Sequence, residues 1–240
     1  MTKPPVTPVS GRKSSVEAMF NDIAPRYDFL NHFLSAGVDR RWRKALINKL
    51  SQNPHDFILD VATGTGDLAI AASGLNPVKI TGIDIAGEML AIGRQKIKKK
   101  GLEGMITLEK GDSENIPFSE CTFDAAMVAF GVRNFENLPK GLSEMFRVLK
   151  PGGGVYILEF STPTAFPVRQ LYRFYFRYIL PFLGRMVSKN PSAYKYLPET
   201  VYLFPQGEKF LGIMKSVGFT NVSAKRLSLG IASIYAGYRK

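Results

Sequence analysis

Ile58-Leu-Asp-Val-Ala-Thr-Gly-Thr-Gly-Asp67 is the stretch on which the fold turns. Phe57–Val61 is a short apolar run of strand character, and Asp67–Ser73 reads as a helix. Between them Gly64 and Gly66 let a ligand come close to the backbone. The helix N-terminus offers it unpaired N–H groups. The next apolar run, Lys79–Ile83, closes on Thr81-Gly-Ile-Asp84. An acid at that place, about twenty residues beyond the turn, can accept both hydroxyls of a ribose.

Dinucleotides and S-adenosylmethionine share this arrangement. Gly64-Thr-Gly-Asp-Leu-Ala69 also satisfies the dinucleotide pattern in its Ala-ended form, so the glycines do not decide. The acids do. Asp60 lies in the strand before the turn and Asp67 opens the helix, and both would repel a pyrophosphate. S-adenosylmethionine has no phosphate, and its ammonium and sulfonium suit acids. Gly111-Asp-Ser113 follows the third apolar run and adds a further contact point. There Asp112 can accept from an adenine amino group, and the Ser113 N–H can donate to a ring nitrogen.

Outward from this centre the pattern alternates. Strands are predicted at Met105–Glu109, Phe123–Phe130 and Val155–Phe160, with helices at Gly87–Lys99 and Leu138–Leu149. A last helix near Gly207–Val217 precedes strands near Asn221–Leu227 and Ala232–Arg239. Such alternation predicts an α/β fold, a doubly wound, seven-stranded, mostly parallel, Rossmann-like sheet. Residues 1–15 read as a flexible tail and 16–240 as one domain, opened by a helical region over Val16–Leu50. Residues 163–204 break the alternation: they are rich in aromatics, carry Arg169, Arg173, Arg177 and Arg185, and read as a helical lid. Lys96, Lys98, Lys99 and Lys100 read as a solvated helix end helped by the dipole.

Composition removes several classes. The 240 residues hold 32 Lys+Arg against 20 Asp+Glu, a net charge of +12, with 45% hydrophobic residues, which is globular and not disordered. The single cysteine, Cys121, excludes an intrachain disulfide and a CxxC metal site. His32 and His55 are too few for a multi-histidine centre, so no metal is expected. No run of about 18 apolar residues exists to span a membrane. The N-terminus carries neither a secretory signal nor a transit peptide, which points to a cytoplasmic, bacterial protein. The basic excess leaves nucleic acid, an anionic membrane surface or an acidic small molecule as partner classes. A homodimer stays open.

Taken together, Asp60–Asp67, Asp84 and Asp112 resemble the class I S-adenosylmethionine-dependent methyltransferases. More narrowly, the chain resembles the ubiquinone/menaquinone biosynthesis C-methyltransferases from about Met19 to Lys240. The narrower likeness is carried by Tyr27-Asp-Phe-Leu-Asn31 with Ser35 and Trp42, by Phe130-Gly-Val-Arg-Asn134, and by Arg147-Val-Leu-Lys-Pro-Gly-Gly-Gly-Val-Tyr-Ile-Leu-Glu-Phe-Ser161. It implies Thr63, Asp84, Asp112 and Ser113 as S-adenosylmethionine contacts. It also implies C-methylation of a prenylated quinol, foremost demethylmenaquinol, with a methoxy-polyprenyl-benzoquinol or both as the alternative. Two positions depart from the family pattern: Ala129 where a serine can stand, and Asp39 where a histidine stands three residues before the tryptophan.

In such a reaction a ring carbon attacks an activated methyl, a phenolic proton leaves, and the ring carbon later sheds its own. Arg133 either stabilises developing phenolate charge, with Asn134 holding a water as proton acceptor, or the two serve a salt-bridge or loop-packing role. Tyr27 either hydrogen-bonds the ring oxygens or packs its helix. His32 is either a base or a helix residue, and Asp28 caps or pairs with an arginine. Phe174, Phe176, Ile179, Leu180, Phe182 and Leu183 either line a channel for the prenyl tail or dip into the membrane interface, where the lid arginines meet lipid phosphates. The other reading is a plain lid with a solvated Arg face. Nucleic-acid methylation is disfavoured. Phe-Gly-Val-Arg-Asn stands where amino methylases carry an acid or Asn followed by Pro-Pro-aromatic, and Cys121 does not follow a proline.

Overall fold

A computed structural model describes residues 12–35, 37–179 and 192–240. Seven strands form one sheet in the order β3-β2-β1-β4-β5-β7-β6. They are β1 (Phe57–Val61), β2 (Lys79–Asp84), β3 (Ile106–Lys110), β4 (Phe123–Ala129), β5 (Leu149–Phe160), β6 (Thr220–Leu227) and β7 (Ala232–Tyr238). All pairings are parallel except those of β7, which runs antiparallel to β5 and β6. The central strands are continuous apolar runs because both sheet faces are covered.

Successive side chains of β1 point to opposite faces. Ile58 joins a layer with Leu46 and Leu50 of α2 (Val38–Leu50), Leu68 of α3 (Asp67–Ala72), and Leu90 and Ile97 of α4 (Gly87–Lys99). Leu59 and Val61 join the other layer, with Leu142 and Met145 of α5 (Leu138–Val148). On the same layer lie Phe210 and Met214 of α8 (Glu208–Val217), the last helix of the described residues. On α5 the buried residues Leu142, Met145 and Val148 recur every third position, and the Asn137 side chain caps the helix by accepting the Lys140 N–H.

The sheet reverses its winding between β1 and β4, and ligands of such sheets sit outside the carboxyl ends at that point. α1 (Arg12–Leu34) crosses above this edge and packs on α4. Arg12–Ser15, read from the sequence within the Pro/Ser-rich tail over 1–15, are helical in α1. The helical region over Val16–Leu50 is two helices, with Gly37 in the left-handed conformation (φ 74°) at the start of α2. β5 opens at Leu149, six residues before its apolar core, because Phe123 already pairs with Leu149. A register shift then admits the Pro-Gly-Gly-Gly segment. In the segment over 163–204 the described parts are α6 (Val168–Phe174), continued by a π-turn Tyr175–Ile179, and α7 (Ser192–Leu203). Leu180, Phe182, Leu183 and Arg185 lie outside the described residues, as do the side chains of His32, Phe176 and Arg177.

Candidate active site

A cleft of about 700 Å³, open to solvent, lies at the carboxyl ends of β1, β2, β3 and β4. Its floor comes from the turns after these strands, through Gly64, Asp84, Asp112, Ser113 and Ala129. Its far wall comes from α1, through Lys13, Phe20 and Tyr27, and from Asn134 beyond β4. Of the residues picked from the sequence, Gly64, Asp84, Asp112, Ser113, Tyr27 and Asn134 meet here, whereas Thr63, Gly66 and Arg133 do not line the cleft.

Asp84 is fixed by backbone. Its Oδ2 accepts the Gly64 N–H at 2.8 Å and its Oδ1 the Ala86 N–H at 2.8 Å. Burial pushes its carboxyl above the ordinary value, and these N–H groups pull the other way. Gly64 sits at φ 57°, in the left-handed region that favours glycine. Asp112 caps its own turn, accepting the Glu114 N–H at 2.9 Å, and its other oxygen is paired with Lys13. Buried Glu114 accepts the N–H of Glu136 at 2.7 Å and of Asn137 at 3.0 Å, tying the turn after β3 to the loop after β4.

Thr63 is spent elsewhere. Its hydroxyl donates to Asp60 Oδ2 at 2.6 Å beneath the turn. Asp60 is buried, and its Oδ1 has no hydrogen-bond partner among the described residues. Burial pushes this carboxyl up to about 7. Gly66 is a conformational glycine: it sits at φ 76° where α3 begins, while a Cβ there would meet Leu108 and Ile97 only at ordinary contact distances of 3.5 and 3.8 Å.

Arg133 is not a cation open to the cleft: it takes the salt-bridge and loop-packing place that the sequence left as its alternative role. Its side chain is 7% exposed, and the guanidinium is paired with Glu159 Oε1 at 2.8 Å, donates to the Phe130 carbonyl and stacks 5.4 Å over the Phe160 ring. Glu159 is fully buried at the end of β5, next to β4, a partner that the local pattern did not reveal. Lys96 is likewise no solvated helix end. Its ammonium pairs with Asp28 of α1 at 2.7 Å and with Asp67, and donates to the Thr65 hydroxyl at 3.2 Å. This cluster binds α1 and α4 to the glycine turn, and it gives Asp28 a lysine, not an arginine, as partner. Asp39 is buried, takes the Ser35 hydroxyl at 2.8 Å and pairs with Arg43, one helical turn on. Asn134 accepts the Tyr196 hydroxyl on its Oδ1 at 3.0 Å, a contact with α7 that the sequence did not signal. Tyr27 packs edge-on against Phe20, ring centroids 5.9 Å apart.

The donor set fits S-adenosylmethionine. Asp84, Asp112, Glu114 and Glu136 face the cleft against Lys13, alone of the described lysines and arginines. That balance suits a ligand with ribose hydroxyls and positive centres and repels a pyrophosphate. Among the described residues no group of three metal-ligating side chains exists.

Sheet order and cleft are those of the class I, Rossmann-like methyltransferases. The solved structure of the [4+2]-cyclase SpnF matches with a TM-score of 0.69 at 16% identity over 95% of this chain and 96% of that one. A Haemonchus contortus phosphoethanolamine N-methyltransferase 2 matches with 0.66 at 15% identity, over 92% of this chain and 60% of that one. These show the fold. The chain belongs to the ubiE/COQ5 methyltransferase family, whose model matches residues 8–239. It is 49% identical to the demethylmenaquinone methyltransferase of Bacteroides fragilis, over 94% of this chain and 93% of that protein. It is also 49% identical to the ubiquinone/menaquinone biosynthesis C-methyltransferase UbiE of Geotalea daltonii, over 92% and 95%.

Proposed function

We propose that this chain methylates a ring carbon of a prenylated quinol, demethylmenaquinol first, with S-adenosylmethionine as donor. The observation that carries the reading is an acid-lined cofactor cleft whose far wall, Tyr27 and Asn134, belongs to the segments most particular to the family. When bound, S-adenosylmethionine supplies a methyl already activated by its sulfonium charge. Asp84 is the residue that would hold its ribose hydroxyls, with Asp112 and Ser113 at the adenine edge and the Gly64 backbone beneath. Thr63 acts through Asp60, bracing the turn.

The chain's own work is then positioning and proton handling. Holding a ring carbon about 3 Å from a methyl supplies much of the acceleration, because association entropy is already lost on binding. The quinol becomes nucleophilic at the carbon ortho to an oxygen as that oxygen loses its proton. Tyr27 and Asn134 hydrogen-bond the ring oxygens. Arg133 is a positioning residue in this reading: it fixes Glu159 and the Phe130 carbonyl beneath the loop that bears Asn134.

The exposed residues of α6 and its π-turn carry the finer part of the proposal. Phe166, Leu171, Phe174 and Tyr178 are apolar and exposed, and Arg169 and Arg173 stand among them. They suit contact with an anionic bilayer, where a prenylated substrate resides. No described helix is long and apolar enough to cross a membrane.

The test is methyl transfer from labelled S-adenosylmethionine to a reduced, short-tailed demethylnaphthoquinol and to a methoxy-benzoquinol in detergent. Transfer to the naphthoquinol alone supports the demethylmenaquinol reading. Transfer to both makes the enzyme dual. Transfer to neither, with the cofactor bound, overturns the substrate.

A further inference from the structure

Asn134 closes the short 3-10 turn Val132–Asn134, and its side chain lines the cleft. Its Oδ1 already accepts the Tyr196 hydroxyl from α7, 62 positions away. A side-chain amide has one accepting end and one donating end. The hydroxyl turns the oxygen end toward α7, which leaves the two Nδ2 hydrogens to meet a ligand in the cleft. Among the described residues Nδ2 has no partner. Tyr196 is itself on an anchored part of α7. Thr200, one turn on, is buried and donates to the Tyr196 carbonyl at 3.0 Å, and Val201 and Phe204 are buried beside it.

We propose that Tyr196 is a positioning residue for methyl transfer: by engaging Oδ1 it presents the Asn134 N–H to the cleft, where it donates to a quinol oxygen as that oxygen becomes phenolate. This rests on the quinol reading above. It differs from the expectation that Asn134 holds a water as proton acceptor, in that the amide N–H here meets the quinol oxygen itself. A preorganised donor aimed at developing oxygen charge is among the larger single contributions to catalysis. Tyr196 matters because it holds the amide group in place, and without that bond the side chain turns away from the cleft at little cost.

The test follows the ionisation of a bound phenol. The probe is a short-tailed 1-naphthol, which has one ionisable hydroxyl and cannot be oxidised to a quinone by losing two hydroxyl hydrogens. Its absorbance is titrated on the full chain. Lys13, Tyr27, Asp84, Asp112, Glu114 and Glu136 also face the cleft, and all are retained in Tyr196→Phe, so the comparison with the parent cancels them.

Tyr196→Phe is expected to raise the bound naphthol pKa by about half a unit to one unit, the scale of one neutral hydrogen bond. The same variant should lower kcat on the naphthoquinol about tenfold, with KM and cofactor affinity unchanged. Tyr196→His, which keeps an N–H donor, should recover part of both. A variant that changes only Tm, leaving naphthol ionisation and kcat alone, overturns the proposal. If Tyr196→Phe does not fold, Asn134→Ala decides: a raised naphthol pKa supports the donor, an unchanged one overturns it. A parent that methylates no quinol yet shows a Tyr196-dependent naphthol pKa overturns the substrate reading and retains the amide orientation. Methylation with naphthol ionisation indifferent to Tyr196 and Asn134 overturns this inference alone.

Discussion

Asp60 and Arg133 are single residues whose surroundings set measurable energies. The folded carboxyl of Asp60 sits at about 7 against an ordinary value of 3.8, with burial as the main cause. Between those values the folded chain holds more protons than the unfolded one, so stability falls as pH rises, by at most about 1.4 kcal/mol per pH unit. Above about pH 7 the loss is complete. Asp60→Asn removes the titration. Urea denaturation at a series of pH values should show a flatter decline between pH 5 and 7 than in the parent; parallel curves would place the titration elsewhere. Arg133 makes the opposite kind of test. Truncating it to Met strands Glu159, whose carboxyl burial already pushes upward, in a fully buried site. Losing one member of such a pair costs about 3–5 kcal/mol. Glu159→Gln added to that variant should restore part of the loss, and cofactor affinity should hold in every variant that folds. A large loss of turnover without loss of stability would return Arg133 to the ring.

At the scale of elements the glycine turn is gripped from behind. Gly93 of α4 lies against it, and a Cβ there would stand 2.5 Å from Leu108 and 3.1 Å from the Thr65 carbonyl carbon. The Thr65 backbone cannot move without moving Gly64 and Gly66. Gly93→Ala should therefore cost about 1–3 kcal/mol by overpacking, and calorimetry should show weakened S-adenosylmethionine binding in the same protein. A stability loss with affinity intact would mean that Leu108 yields and the turn does not. The alternation of strands and helices was legible because apolar periodicity is local, and so was the turn with Asp84. What pairs across the chain was not. Lys96 looked solvated because Asp28 lies 68 positions away, and Arg133 looked available because Glu159 belongs to the next strand. Thr63 was legible as part of the turn, but the direction of its hydroxyl was set by a buried acid three residues earlier. β5 was read short because Pro-Gly-Gly-Gly has the composition of a loop, whereas the register with β4 carries the strand through it.

For the whole molecule the charge is unevenly placed. The chain carries +12, yet among the described residues the cleft holds four carboxylates against Lys13. Away from the cleft one surface shows both cations and apolar side chains, Phe166 at 80% and Leu171 at 65% exposed, beside Arg169 and Arg173. Leu229, 76% exposed, extends it: Gly230 packs near Pro163, and Arg226 donates to Thr164 at 3.1 Å. On the proposed membrane reading, apolar insertion and cationic attraction would act on the same face. Each Arg near an anionic surface contributes about 1 kcal/mol at most physiological salts. Replacing Arg169 and Arg173 by Gln should thus weaken sedimentation with phosphatidylglycerol-containing vesicles by roughly thirtyfold. Leu171→Glu should weaken it further, through lost burial and added repulsion. Binding should fall as salt rises, since screening sets in within about 10 Å at 0.1 M. The methylation of a detergent-dissolved, short-tailed quinol should be unaffected by all three substitutions, because none lines the cleft. Equal binding to neutral and anionic vesicles, unchanged by the substitutions, would instead make this face a cover over the sheet and leave the long-tailed substrate to reach the cleft by another route.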